Sequence, residues 1–233
     1  MYELYYWPTI QGRGEFVRLL LEDAGADYID VVRKPESEGG GVQALRALVE
    51  ASEHFAPPFL KDGETMVSQT PLIMDYLGER HGLTPRDTDR RRDTLRLSML
   101  LSDFLVEAHD VHHPLAKEFF YEDQREEALR RAPSFRQMRI PKFYDYFEQL
   151  LQSNGYLVGD ACSHAEFSLF QVVEGMRYAF PRTMARLEPK YPNVITLRDR
   201  IASRTGVATY LTSERRIPFN EHGIFRHYPE LDI

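Results

Sequence analysis

Two different periods of apolar and polar positions run along this chain, and the change falls near Leu83. The first part is built of short apolar runs punctuated by turn residues. Leu4-Tyr5-Tyr6-Trp7 is aromatic-rich, is stopped by Pro8, and reads as a first strand. Phe16, Leu19, Leu20 and Ala24 share one face of a helix from Glu15 to Ala24, which Gly25 ends. Tyr28 to Val32 reads as a second strand, and a strand–helix–strand unit of this length predicts a parallel pair. Val42 to Val49 reads as a second helix. In Ala56-Pro57-Pro58-Phe59-Leu60-Lys61-Asp62-Gly63, two adjacent prolines without backbone N–H groups exclude a helix interior or a central strand. Asp62-Gly63 is a hairpin turn, and Thr65-Met66-Val67 is the returning strand. Thr70 is placed to cap a helix with its hydroxyl, and Pro71 suits the first helical position. Ile73, Tyr76 and Leu77 supply the apolar face. The order is βαβ, α, ββα, and it delivers the chain to a helix mouth whose free N–H groups and positive dipole end suit a carboxylate.

After Gly82 comes a polar link, Thr84-Pro85-Arg86-Asp87, and beyond it the period is helical throughout. Leu97, Leu100, Leu101, Phe104 and Leu105 mark one long helix. Phe143, Phe147, Leu150 and Leu151 mark another, which Pro141 bends or starts. Ser163-His164-Ala165-Glu166 is a capping box, followed by a stripe of Phe167, Phe170, Val172 and Val173. Val194, Leu197, Ile201, Tyr210 and Leu211 give the last helices. The tail from Pro218 to Ile233 carries Phe219, Phe225 and Tyr228 and is expected to pack back on the body. The expected fold is an α/β unit over residues 1–83 followed by an all-α unit over residues 89–233.

Composition narrows the function classes. With 233 residues, 42% of them hydrophobic, the chain can bury a sizeable core. No apolar run is long enough to span a bilayer, and no basic stretch followed by an apolar core opens the sequence, so neither a membrane segment nor a leader is expected. A net charge of −7 disfavours binding to nucleic acid or anionic membranes. Cys162 is the single cysteine, so no intrachain disulfide forms. That fits a reducing, cytoplasmic setting.

This order of elements, together with particular motifs, resembles the cytosolic glutathione transferase family, with its thioredoxin-like first domain and helical second domain. Tyr6-Trp7-Pro8 followed by Gly12-Arg13-Gly14-Glu15-Phe16-Val17-Arg18 is similar to the start of the tyrosine-type classes (pi, mu, sigma). Pro58-Phe59-Leu60 is similar to the segment that carries the family's cis-proline. Gln69-Thr70 with Ile73, Tyr76 and Leu77 resembles the helix start that holds the γ-glutamyl end of glutathione. Ser163 to Glu166 resembles the family's capping box, and Tyr191-Pro192-Asn193 its last helices. The resemblance spans nearly the whole chain.

The resemblance implies a homodimeric transferase that takes glutathione as cosubstrate, without a further cofactor or metal, and conjugates it to small hydrophobic electrophiles. Glutathione reacts as a thiolate, and a hydroxyl aimed at the sulfur would lower the thiol pKa. The resemblance assigns this role to Tyr6, although the loop to Arg18 is one residue longer than in the tyrosine classes. Thr9 is the alternative hydroxyl, as in the serine-type classes. Trp7, Arg13, Pro57, Pro58, Gln69, Thr70 and Asp103 are the implied glutathione-binding residues. Asp103 is equally readable as a solvated helix acid. Arg13 and Arg18 are read as aids to an anionic ligand, with the loop arginine, Arg13, equally readable as structural. Pro57 departs from the family pattern. The residue before the cis-proline ordinarily bonds the cysteinyl backbone through both N–H and C=O, and proline has no N–H. His109, His112 and His113 lie close together with Asp110, but match no established zinc spacing, and are read as the end of the long helix. No cysteine follows the first strand, which disfavours thiol–disulfide chemistry. Two other functions stay open: a binding or structural protein on the same scaffold, and a glutathione-dependent isomerase.

Overall fold

The computed structural model describes residues 1–233. Four strands, β1 (Tyr2–Tyr5), β2 (Tyr28–Asp30), β3 (Phe59–Asp62) and β4 (Thr65–Ser68), form one sheet in the order β2-β1-β3-β4. β1 and β2 run parallel across the crossover helix α1 (Gly14–Asp23), as the short link predicts. β3 pairs antiparallel with both β1 and β4, with Leu4 opposite Leu60 and Leu60 opposite Val67. These three leucine and valine side chains are buried on one face of the sheet, under α1 and α3 (Thr70–Arg80). The other face holds a small cluster of Val32, Leu45 and Phe59 beneath α2 (Gly41–Ala51).

β1 ends at Tyr5, two residues earlier than the aromatic run suggests, because the register would set Tyr6 opposite Pro58, which has no N–H to continue the ladder. Tyr6 therefore leaves the sheet. Its ring is buried beneath the loop that follows. A Cβ on Gly14 would stand 2.6 Å from the Tyr6 ring, and one on Gly12 would collide with its hydroxyl. Gly12 also holds φ +46°, a conformation that side chains disfavour.

The helical unit consists of α4 (Thr88–His112), α5 (Arg125–Ser134), α6 (Ile140–Leu151), α7 (His164–Ala179), α8 (Pro181–Leu187), α9 (Pro192–Ala202) and α10 (Thr205–Leu211). A π-helical turn, Phe135–Arg139, joins α5 to α6, directly before Pro141. The capping box of α7 forms as expected. Glu166 accepts from the Ser163 N–H at 2.8 Å, the Ser163 hydroxyl accepts from the Ala165 N–H, and Glu166 also accepts from the Leu157 N–H. The tail packs back on the body through Phe219, stacked on Tyr178 at 5.0 Å, and through Phe225, which is buried against Gly175.

One apolar core joins the α/β unit to the helices. A single cluster of buried side chains runs from Leu4, Phe16 and Leu77 to Leu97, Phe170 and Tyr210. α1 packs on α7 and α10, and α3 packs on α4. Polar ties reinforce the contact. Asp75 of α3 meets Arg91 of α4 at 2.7 Å and the buried His164 of α7 at 3.7 Å. Arg204 forms a two-pronged bond to Asp23 at 2.7 Å on each side.

Candidate functional site

The proline turn, the start of α3 and the middle of α4 enclose a cleft of about 790 Å³. Among its walls are Arg13, Pro57, Pro58, Gln69, Thr70 and Asp103, which are six of the residues implied by sequence. Each arrives from a different local cause. The Pro57–Pro58 bond is cis, and the chain turns there into β3. β4 returns from the Asp62-Gly63 turn and ends at Ser68, which leaves Gln69 at the junction with φ 70°. Asp103 is exposed on α4, opposite.

The helix start differs from the expected cap. Gln69, not Thr70, is the capping residue, and its carbonyl accepts from Leu72 and Ile73 N–H groups at 2.9 Å each. Thr70 is the first helical residue and its hydroxyl caps nothing. It is buried and has no hydrogen-bond partner. Pro71 occupies the next position, where its missing N–H costs no bond. The mouth of α3 thus brings the positive end of a helix and the Gln69 and Thr70 side chains to the wall of the cleft, with the Thr70 hydroxyl unpaired and covered.

Tyr6 stands behind this cleft, not in its wall. Its hydroxyl accepts the backbone N–H of Arg13 at 2.9 Å, so the cleft residue Arg13 is bonded directly to the phenol. Burial pushes the phenol above its ordinary range, against the pull of the Arg13 N–H and of the Arg13 and Arg18 charges. It is therefore protonated at neutral pH, and its proton is available for donation. Trp7 is 40% exposed and does not line the cleft. Thr9 is exposed, and its carbonyl accepts from the Asn220 side chain at 2.9 Å, a bond that ties the loop to the tail.

Arg18 corrects one sequence expectation. It is fully buried, 2.7 Å from Asp30 and 3.5 Å from Glu15, and is closed off from any ligand. Glu15 in turn accepts from Tyr210 at 3.0 Å and meets Arg216 at 3.3 Å. This network holds α1 to the last helix and the tail.

Several cleft residues carry no sequence motif. Phe55 is 92% exposed at its rim, and Leu72, Met99 and Val106 add further apolar surface, with Lys117 at the edge. They come from four segments far apart in sequence, and single exposed apolar residues carry no periodic signal. His109, His112 and His113 do end α4, as expected, and lie outside the cleft with their rings packed together. Burial pushes all three imidazoles below their ordinary range, so they are neutral.

Comparison with known proteins adds a second line of observation. Residues 109–214 match the family model described as glutathione S-transferase, C-terminal domain. The chain is 27% identical over 220 residues to glutathione S-transferase P 1 of Xenopus laevis, covering 92% of this chain and 93% of that one. It is 28% identical over 219 residues to the putative glutathione S-transferase alpha-5 of Dictyostelium discoideum, covering 93% and 98% respectively. Among solved structures, prostaglandin synthase D of Nilaparvata lugens superposes with a TM-score of 0.71 at 16% identity, over 93% of this chain and 99% of that chain. The glutathione S-transferase of Ascaris lumbricoides gives 0.69 at 19%, over 93% and 98%.

Proposed function

This chain belongs to the cytosolic glutathione transferase family, and we propose that its cleft binds glutathione and delivers the thiolate to small hydrophobic electrophiles. The γ-glutamyl carboxylate sits at the mouth of α3, against Gln69 and the Thr70 hydroxyl. The cysteinyl backbone lies along Pro57 and Pro58. The thiol reaches toward Arg13 and the Tyr6 hydroxyl behind it. Its proton leaves to solvent, and the phenol keeps its own proton and donates it as a hydrogen bond to the sulfur anion. The sulfur then forms a bond to an electrophilic carbon. Where that carbon carries a halide, the halide leaves with its bonding electrons. Glutathione is a cosubstrate, and no step calls for a further cofactor.

The observation that carries this reading is the Thr70 hydroxyl. A buried polar group without a partner costs about 1–3 kcal/mol, and here it belongs to a residue that lines the cleft at a helix N-terminus, with the hydroxyl itself covered. A carboxylate entering that cleft satisfies it once the Thr70 side chain turns its hydroxyl outward. The test is isothermal calorimetry with glutathione on wild type and Thr70→Val. Binding to wild type that weakens in the variant supports the site, and equal heats in both remove it.

The partner we propose is a second copy of the chain. Phe55, Leu72, Met99 and Val106 leave apolar surface open around the cleft, and the exposed carboxylate of Asp103 lines it, free to reach a glutathione held by a neighbouring subunit. No helix is long and apolar enough to cross a membrane, and a cytoplasmic location accords with that and with the single cysteine.

One observation favours a second reading, a protein that binds glutathione without transferring it. Pro57 lacks the N–H that would hold the cysteinyl backbone, a loss of roughly 0.5–1.5 kcal/mol. The Tyr6 hydroxyl is also buried beneath its loop. An aryl halide assay separates the two readings, since bound glutathione without turnover selects the second.

A further inference from the structure

Three imidazoles meet at the C-terminal end of α4, and we propose that His109, His112 and His113 bind one divalent transition-metal cation of the zinc type. The spacing i, i+3, i+4 puts all three on one side of the helix. Their ligating nitrogens lie within 4.8 Å of one another. The ring centroids are 4.8, 5.0 and 4.7 Å apart, and the rings cross at 64°, 37° and 87°. Zinc–nitrogen bonds of about 2.05 Å in a tetrahedral site place imidazole centroids roughly 5.2 Å apart. The centroids already have nearly that spacing, and binding would part the Nδ1 atoms of His112 and His113 from 2.5 Å to about 3.3 Å in place of their present hydrogen bond.

Proton positions follow from the partners. The Nε2 of His112 is 2.8 Å from the carbonyl oxygen of Ile224. A carbonyl only accepts, so Nε2 carries the hydrogen and Nδ1 carries a lone pair. That Nδ1 faces the Nδ1 of His113 at 2.5 Å. The Nδ1 of His109 is buried without a hydrogen-bond partner. An imidazole fixed by a backbone carbonyl on one nitrogen, with its other nitrogen turned toward further imidazoles, is the arrangement that outer partners impose on metal-binding histidines.

The surroundings suit a cation without trapping it. Asp110 lies 3.5 Å from His109 and is shared with Arg131 at 3.7 Å. Glu122 faces His113, and Arg226 faces all three rings, so fixed charges of both signs are close. His109 is 20% exposed and opens the cluster to solvent. Three neutral nitrogen ligands select zinc, cobalt, nickel or copper over magnesium and calcium, which take oxygen. A fourth position is left for water.

Co²⁺ serves as the probe, on tag-free full-length protein first stripped with a chelator. We expect a visible d–d band that saturates at one equivalent and is bleached by Zn²⁺, while Mg²⁺ has no effect. His109→Gln, which removes a ring nitrogen that makes no hydrogen bond in the fold, should weaken Co²⁺ at least about tenfold. Circular dichroism checks that the variant stays folded. A variant-free readout comes from imidazole NMR of the wild type. Zn²⁺ should shift the resonances of His109, His112 and His113 and leave those of His54, His81, His164, His222 and His227 in place. A band that never saturates, equal affinity in His109→Gln, or shifts confined to the other five histidines overturns the site.

Discussion

Removing the Tyr6 hydroxyl tests the proposed chemistry most directly, because that one oxygen has two jobs that separate experimentally. In Tyr6→Phe the ring stays beneath Gly12 and Gly14, so packing is kept. The first loss is the bond to a sulfur anion. A hydrogen bond to a charged group is worth about 1.5–3 kcal/mol, which corresponds to a rise of roughly 1–2 units in the bound thiol pKa. At a pH below both values, that becomes about a 10- to 150-fold fall in the thiolate fraction and in kcat/KM. The second loss is the acceptor for the Arg13 N–H, which the hydroxyl holds at 2.9 Å. Its cost to folding is roughly 1–3 kcal/mol and is independent of glutathione. Ultraviolet titration of the thiolate in the enzyme–glutathione complex reads the first effect, and denaturant unfolding without glutathione reads the second. If the bound thiol titrates at the same pH in both proteins while the variant still binds glutathione, Tyr6 has no part in activation. Thr9 then becomes the hydroxyl to test.

Three other outcomes follow. Gly12→Ala would push a methyl into the Tyr6 hydroxyl at a positive φ, so urea melts should show a loss of about 1–3 kcal/mol. Desolvation pushes the Asp75 carboxyl up, but its contacts with His164 and Arg91 pull it below its ordinary range. Its share of stability is therefore complete above the unfolded carboxylate pKa and is lost as pH falls through the folded one. Asp75→Asn should flatten the fall of stability below about pH 4 and cost about 1–2 kcal/mol at neutral pH, since Arg91 is partly solvated. Burial first, and then Glu166, push the Cys162 thiol up to about 12. Iodoacetamide should thus label this half-buried thiol far more slowly than free cysteine at neutral pH, and rapid labelling would contradict that environment.

What could be read in advance had a short range along the chain. The Asp62-Gly63 turn, the Pro57-Pro58 break and the Ser163–Glu166 cap are signals within four residues, and each element formed where its signal stood. The helix mouth at Thr70 was legible locally as a carboxylate site, but the other cleft residues took their roles from resemblance, because nothing local says that Asp103 of α4 will line the same cleft as Gln69. Arg18 was misread because its partner Asp30 lies on another element, and a charge on a helix shows its face only once the sheet is packed. Thr70 looked like a cap because Ser, Thr and Asn favour that position. The φ of 70° at Gln69, which moves the cap back by one residue, leaves no mark in composition. The histidine spacing was visible from the start, but the carbonyl of Ile224 that orients His112 comes from the far end of the chain.

The continuous core has a consequence for anyone who would divide the molecule. The border near Leu83 separates two architectures without separating two folding units. An isolated first half would present to water the sides of α1 and α3 that now lie on α7, α10 and α4, and would leave Asp75 and Asp23 without their opposite charges and Glu15 without Arg216. Melting should accordingly be a single cooperative event, and shuffling the halves between relatives will succeed only where that hidden seam is exchanged with them.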